Sequence, residues 1–256
     1  MARKAELKVY LIGHTTDPEK VVAVAVRRCY SGLPTTELIE KIDDKKAKEM
    51  ISMVQGIGHT STVEHASFCF GVEGLSRAAA QQLTRHRHAS FSMQSQRYKE
   101  VNNLAVAIPE AIENNSEARE LYLALVENSE KTYKELIQRG IKLEDARGVL
   151  PMNCETALVF TMNARELTDT FFRERLCMRA QQEIRDLAIG MAVLVRGVAP
   201  NIFNNIGPTC KTQGICWEGE KSCGLWRAIE GGEVRVRQRH NFNSNYRGPL
   251  SFIDQE

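Results

Sequence analysis

Three short segments of this chain alternate apolar and polar residues with a period of two, while nearly every other ordered stretch carries the helical period. Residues 65–72 put Phe68, Phe70 and Val72 on one face, residues 156–162 repeat the pattern, and residues 8–13 do so with Leu7, Val9 and Leu11. Strands mixed with helices in no regular βαβ order predict an α+β fold. The expectation is a single domain with a small mixed or antiparallel sheet flanked by helices. Pro18-Glu19 opens a helix through Val21, Val22, Val24 and Val26 toward Cys29. Thr35 or Thr36 caps the next, which carries Leu38, Ile39, Ile42, Met50, Ile51 and Val54 and stops at Gly56 and Gly58. Ser76 starts an Ala-rich helix that bears Gln81 and Gln82 and ends near Arg85.

Further along, 101–109 is a loop or a short strand, and 116–139 is a long amphipathic helix closed by Gly140. A short helical piece, 143–150, precedes Pro151. Asn163 with Glu166 three residues on forms a capping box, opening a helical stretch, with or without a break, to Val195. Beyond Pro200 the periodicity is lost. Residues 1–200 are therefore expected to form the domain, and 201–256 an irregular C-terminal extension.

Bulk properties exclude several classes. With 256 residues, 43% hydrophobic and 26% charged, the chain can bury one full core. A net charge of +2 gives no general basic footprint for nucleic acid. No apolar run is long enough to span a membrane, and the basic start before His14 reads as a strand, not a signal peptide. Seven cysteines, scattered and odd in number, fit a reducing cytoplasm better than a disulfide framework.

The segment 85–97 is locally exceptional. Arg85, Arg87 and Arg97 stand with His86, His88 and three serines, and no acid follows until Glu100. Such crowding of like charge calls for an anionic partner, and guanidinium forks bind phosphate bidentately. An ordered loop for a phosphorylated ligand is one reading, a solvated basic loop the other. Nucleic acid is not the expected partner, because no stacking array of aromatics accompanies the charge. No Walker motif is present, and Gly56-Ile57-Gly58 lacks the third glycine of a dinucleotide fingerprint. No metal is expected at His86 and His88, since Arg85 and Arg87 oppose a cation.

Arg85-His86-Arg87, seven residues, then Ser95 resembles the signature of the flavin-dependent thymidylate synthases. The runs 58–68, 76–78, 82–85, 163–167 and 175–181, with Asp17-Pro18-Glu19 and 28–31, are similar to that family in the same order, over roughly the first 210 residues. The resemblance implies the fold of that family and reductive methylation of dUMP to dTMP, with 5,10-methylenetetrahydrofolate as carbon donor and NADPH-reduced FAD as hydride source. It also implies a cytoplasmic homotetramer whose sites are shared between subunits.

Residue by residue, the resemblance implies flavin contacts at His65, Ser67, Arg85, His86 and Arg87, and further contacts at Asn163, Ala164, Arg165 and Asp169. It places dUMP against Gln82, Leu83, Thr84, Arg85, Met93, Gln94, Ser95, Gln96, Arg97, Arg147 and Arg175. Arg175 is the implied catalytic arginine, stabilising charge on the uracil ring. Without the resemblance, Arg175 reads as an ion pair with Glu174 or Glu183, and Arg147 as one with Glu144. Met93 and Ser92 depart from the polar residues common in the family. Around Thr168-Asp169-Thr170 the spacing is one residue longer than usual, which leaves Asp169 and Thr170 as alternatives. Ser95 lacks an acidic orienter for nucleophilic work, and Cys177 reads as a small buried hydrophobe. Cys210, Cys216 and Cys223 match no standard zinc spacing. The basic run 235–239 reads as a solubilising tail.

Overall fold

The computed structural model describes residues 3–224 and 235–236. Strands β1 (Arg3–Lys4) and β2 (Lys8–His14) lead into helices α1 (Pro18–Arg28), α2 (Thr35–Lys41) and α3 (Asp44–Gly56). A 3₁₀ turn, Thr60–His65, feeds β3 (Ser67–Ser76), then α4 (Arg77–Leu83), β4 (Ala89–Met93) and β5 (Ala105–Val106). Helices α5 (Glu110–Glu113), α6 (Ser116–Gln138) and α7 (Leu143–Ala146) precede β6 (Glu155–Asn163). A π-turn, Glu166–Phe171, runs into α8 (Phe172–Arg175), and α9 (Gln182–Val198) follows.

The main sheet has the order β2-β3-β6-β4, antiparallel throughout, and β1 pairs in parallel with β5. This is the expected α+β architecture. Phe70 and Phe91 both lie opposite Phe160 in the register, and their rings stack on it at 5.3 and 5.7 Å. Val22, Val26, Ile51 and Val54 from α1 and α3, and Leu187, Met191 and Val195 from α9, join this core. Gly190 of α9 sits so close to β2 that a Cβ there would lie 3.3 Å from Val9 Cγ2. In β3 a register shift falls between Val72 and Leu75, and Gly74 adopts φ +71° within it. A Cβ on Gly74 would lie 2.0 Å from the Glu6 carbonyl oxygen, so only glycine fits this bulge.

Several boundaries differ from the sequence expectation. The helix read through 38–54 is two helices, because Asp43 caps α3 by accepting from the Lys46 N–H and breaks the chain there. Pro34, not Thr35 or Thr36, stands at the N-cap of α2. His65 belongs to the 3₁₀ turn, and the strand runs on instead to Ser76. The basic loop contains a strand: Ala89–Met93 forms the sheet edge on β6, its alternation masked by the flanking charges. Asn163 ends β6, and the stretch behind it is broken between Arg175 and Gln182. Ser76 does cap α4, accepting from Ala79 N–H at 3.0 Å, while Glu183 accepts from its N–H and hydroxyl at 2.5 and 2.6 Å.

The first compact unit runs past the expected boundary at 200 to Pro208. Ile202, Phe203 and Ile206 are buried in its core, with Phe203 packed edge-on against Phe68 at 5.2 Å. From Thr209 a second unit begins, with α10 (Thr209–Thr212) and a parallel pair of β7 (Ile215–Cys216) and β8 (Arg235–Val236). Residues 237–239 of the basic run lie outside the described residues. No helix among the described residues is long and apolar enough to cross a membrane.

Candidate functional site

The arginine-histidine-arginine run follows directly on α4, and its side chains diverge. His86 is 4% exposed, while Arg85 and Arg87 lie on the surface. Among the described residues neither arginine has an ion-pair partner, so two fixed cations stand ready for an anion.

His86 is held from three sides. Its Nδ1 lies 3.1 Å from Glu166 Oε1, and its ring meets Phe171 edge-on at 5.0 Å. Arg175 donates from Nε to His86 Nε2 at 2.9 Å, and from Nη2 to the Gln82 carbonyl at 3.4 Å. Glu174 approaches Arg175 Nη2 at 3.5 Å from the solvent side. Of the two acids considered for Arg175, Glu174 is therefore a neighbour, whereas Glu183 is committed to Ser76. The Gln82 side chain donates to Gln181 Oε1.

Burial, reinforced by the Arg175 guanidinium, pushes the His86 imidazole down from 6.5 to about 4. A histidine with a depressed pKa is neutral above that value and charged below it. Arg175 is therefore expected to keep its acceptor at neutral pH and lose it only as the pH falls through about 4. A pH titration followed by NMR of the ring should show no His86 inflection near 6.5; an inflection there would contradict this geometry.

Beside this cluster opens a cavity of about 400 Å³, lined by Glu64, His88, Asn163, Arg165, Glu166 and Asp169. The Asn163 side-chain Oδ1 accepts from the Glu166 N–H at 2.8 Å, so half of the expected capping box forms. The other half does not, because the Glu166 side chain turns to His86. Around Asp169 the chain forms a π-turn, whose i→i+5 pairing accommodates one residue more per turn than an α-helix. Asp169 is taken up internally: Thr60 donates to it at 2.8 Å and Arg173 at 2.9 Å, and Arg165 lies 3.6 Å away. Arg165 also bonds Glu64 at 2.5 Å. His65 and Ser67 sit beside Thr15, whose hydroxyl accepts from Ser67 N–H at 2.9 Å.

A third cluster gathers around Glu144. Arg97 donates to its carboxylate from Nε and Nη2 at 3.0 and 2.8 Å, and Arg147 Nε donates to its backbone carbonyl at 3.1 Å. The carboxylate partner is thus Arg97, while Arg147 reaches only the Glu144 backbone carbonyl. The pair is exposed and weak, so a phosphate could displace the carboxylate at small cost. Ser95 Oγ accepts from the Arg97 N–H, and the Gln94 carbonyl accepts from Arg77. Thr84 and Met93 are exposed.

Besides His86, three more expected contact residues turn inward. Leu83 and Ala164 are fully buried in the core. Gln96 is also buried and donates to the Cys154 sulfur at 3.2 Å, which anchors the segment behind Ser95. Sequence reasoning missed Glu166 and Gln181 as partners of the arginine cluster. The available signal for Glu166 was a carboxylate between Ala164, Leu167 and Phe171, all of which are buried.

Two exposed, unpaired arginines after α4, a buried histidine and a guanidinium held along one edge lie beside the small antiparallel sheet, a set of groups suited to anionic ligands. The family model of the thymidylate synthase complementing protein matches residues 10–201. A flavin-dependent thymidylate synthase of Clostridium tetani is 43% identical over 85% of this chain and 93% of its own length. One of Geobacter sulfurreducens is 44% identical over 85% and 94%. The crystal structure of a UMP/dUMP methylase from Streptomyces cacaoi bound with 5-Br dUMP superimposes with a TM-score of 0.70. At 24% identity, over 80% of this chain and 96% of that one, it supports the fold. The chain belongs to the flavin-dependent thymidylate synthase family.

Proposed function

We propose that this enzyme converts dUMP, 5,10-methylenetetrahydrofolate, NADPH and a proton into dTMP, tetrahydrofolate and NADP⁺, in the cytoplasmic de novo synthesis of dTMP. The observation that carries the reading is the pose of Arg175. Its Nε and Nη2 are occupied by His86 and Gln82, while Nη1 has no partner among the described residues. A guanidinium fixed along one edge presents the other to a planar, polar ring, and it stays charged throughout.

Arg85 and Arg87 would meet the diphosphate of FAD, with His65, Ser67, Asn163 and Arg165 around the rest of the cofactor. The unpaired cations fit that group. When bound, FAD supplies hydride transfer between NADPH and the one-carbon unit. Ser95, Arg97 and Arg147 would hold the 5′-phosphate of dUMP, and Gln82 and Arg175 its uracil edge. The Nη1 donors of Arg175 stabilise negative charge on the ring while C5 gains the one-carbon unit and loses its proton. Completing these clusters between subunits of a homotetramer is part of the same reading.

The test is the visible absorption spectrum of the purified protein during titration with dUMP. Flavin bands that shift on adding dUMP are expected. A protein that takes up no flavin from added FAD would overturn the reading.

A further inference from the structure

We propose that Glu166 is the positioning residue of Arg175, acting through the ring of His86 by holding its proton on Nδ1. This rests on the reading of Arg175 as the group that meets the uracil ring. The donor at one end is unambiguous, because an arginine Nε always carries hydrogen and never accepts. With Arg175 Nε at 2.9 Å, His86 Nε2 must offer its lone pair. In a neutral imidazole the other nitrogen then carries the proton, and that nitrogen faces Glu166 Oε1 at 3.1 Å. Free imidazole side chains prefer the opposite tautomer. Without an acceptor at Nδ1, the ring would turn an N–H toward the Arg175 N–H and push the guanidinium out of its pose.

The fold is arranged to keep Glu166 there. Its N–H is bound by Asn163, and its side chain is buried. The π-turn has a specific consequence: Glu166 and Phe171 are five residues apart and would diverge on an α-helix. With i→i+5 pairing they come together, Glu166 on Nδ1 and Phe171 against the ring. Other charges facing the ring are Arg175 and Glu174 at 3.8 Å from Nε2, while His88 bears on Glu166 and the flanking Arg85 and Arg87 turn to the surface. Burial holds His86 neutral at working pH, which is the state this arrangement needs.

The experiment compares the flavin-bound protein with Glu166→Leu and Glu166→Gln, using ¹⁵N-histidine NMR for the tautomer and initial rates of dTMP formation. In the unaltered protein the proton is expected on Nδ1. Glu166→Leu should move it to Nε2 and lower kcat about 100-fold with little change in KM, the scale of a wrongly oriented or wrongly protonated supporting group. Glu166→Gln still offers an oxygen to the same N–H, so it should keep the tautomer and recover most of kcat. If Glu166→Leu retains the Nδ1 proton, or loses stability with kcat intact, the proposal is overturned. Should that variant not fold, Glu166→Asp, whose carboxylate draws back from the ring, is judged by the same criteria. The tautomer is read without substrate, so a protein that makes no dTMP yet carries the proton on Nδ1 counts against thymidylate synthesis and not against this arrangement.

Discussion

Arg175→Ala is expected to lower dTMP formation by about 10²–10³-fold, a barrier increase of about 3–4 kcal/mol, with flavin still bound. Two effects combine. On the proposed reading the uracil ring loses a fixed cation in a partly buried site, where the side chain is 18% exposed and water screens it poorly. At the same time His86 Nε2 and the Gln82 carbonyl lose their donor. Arg175→Lys should recover little, because one ammonium cannot bond His86 and Gln82 along one edge and still present a second edge to a ligand. On the proposed reading Ser95, Arg97 and Arg147 hold the phosphate of dUMP, so the loss should fall on kcat. Single-turnover rates with dUMP, read beside the flavin spectrum, check this. A variant within tenfold of the unaltered enzyme would remove Arg175 from the chemistry.

Local signals carried much of this architecture. Alternation located β2, β3 and β6, Ser76 marked the start of α4, and Gly140, at φ +83°, marked the end of α6. These depend on a few neighbouring residues and can be read from the chain. What could not be read depends on partners distant in sequence. The order Arg85-His86-Arg87 does not reveal that the histidine turns inward while both arginines face water. That split exists because Glu166 and Arg175, some 80 and 89 residues on, close over the ring. Gln96 looked like a ligand contact because it neighbours Ser95 and Arg97, but it points at Cys154, 58 residues away. Glu166 looked like a helix cap because that is the local role of an acid three residues after asparagine. A tertiary partner outcompeted the local one, as is common when a carboxylate is buried. β4 was hidden for another reason: its small and hydroxyl residues form an edge strand only because β6 offers a ladder.

Phe160→Ala is expected to cost about 3–5 kcal/mol of folding stability, the largest effect anticipated in the core. Phe160 is 1% exposed on β6, the strand that pairs with both β3 and β4. Its ring lies between Phe70 and Phe91, so truncation opens a cavity that two stacked neighbours cannot fill without leaving the sheet. Val159, the preceding residue, points to the opposite face and is 43% exposed, so Val159→Ala should cost less than about 1 kcal/mol. Urea unfolding of both variants without ligand measures the contrast, provided the slopes with denaturant stay equal. Equal losses at 159 and 160 would mean that the faces of β6 are wrongly placed. The damage should also reach the site, because β6 ends at Asn163 and delivers Arg165 and Glu166. Added FAD, binding only the folded state, should then recover part of the lost stability in proportion to the logarithm of its concentration.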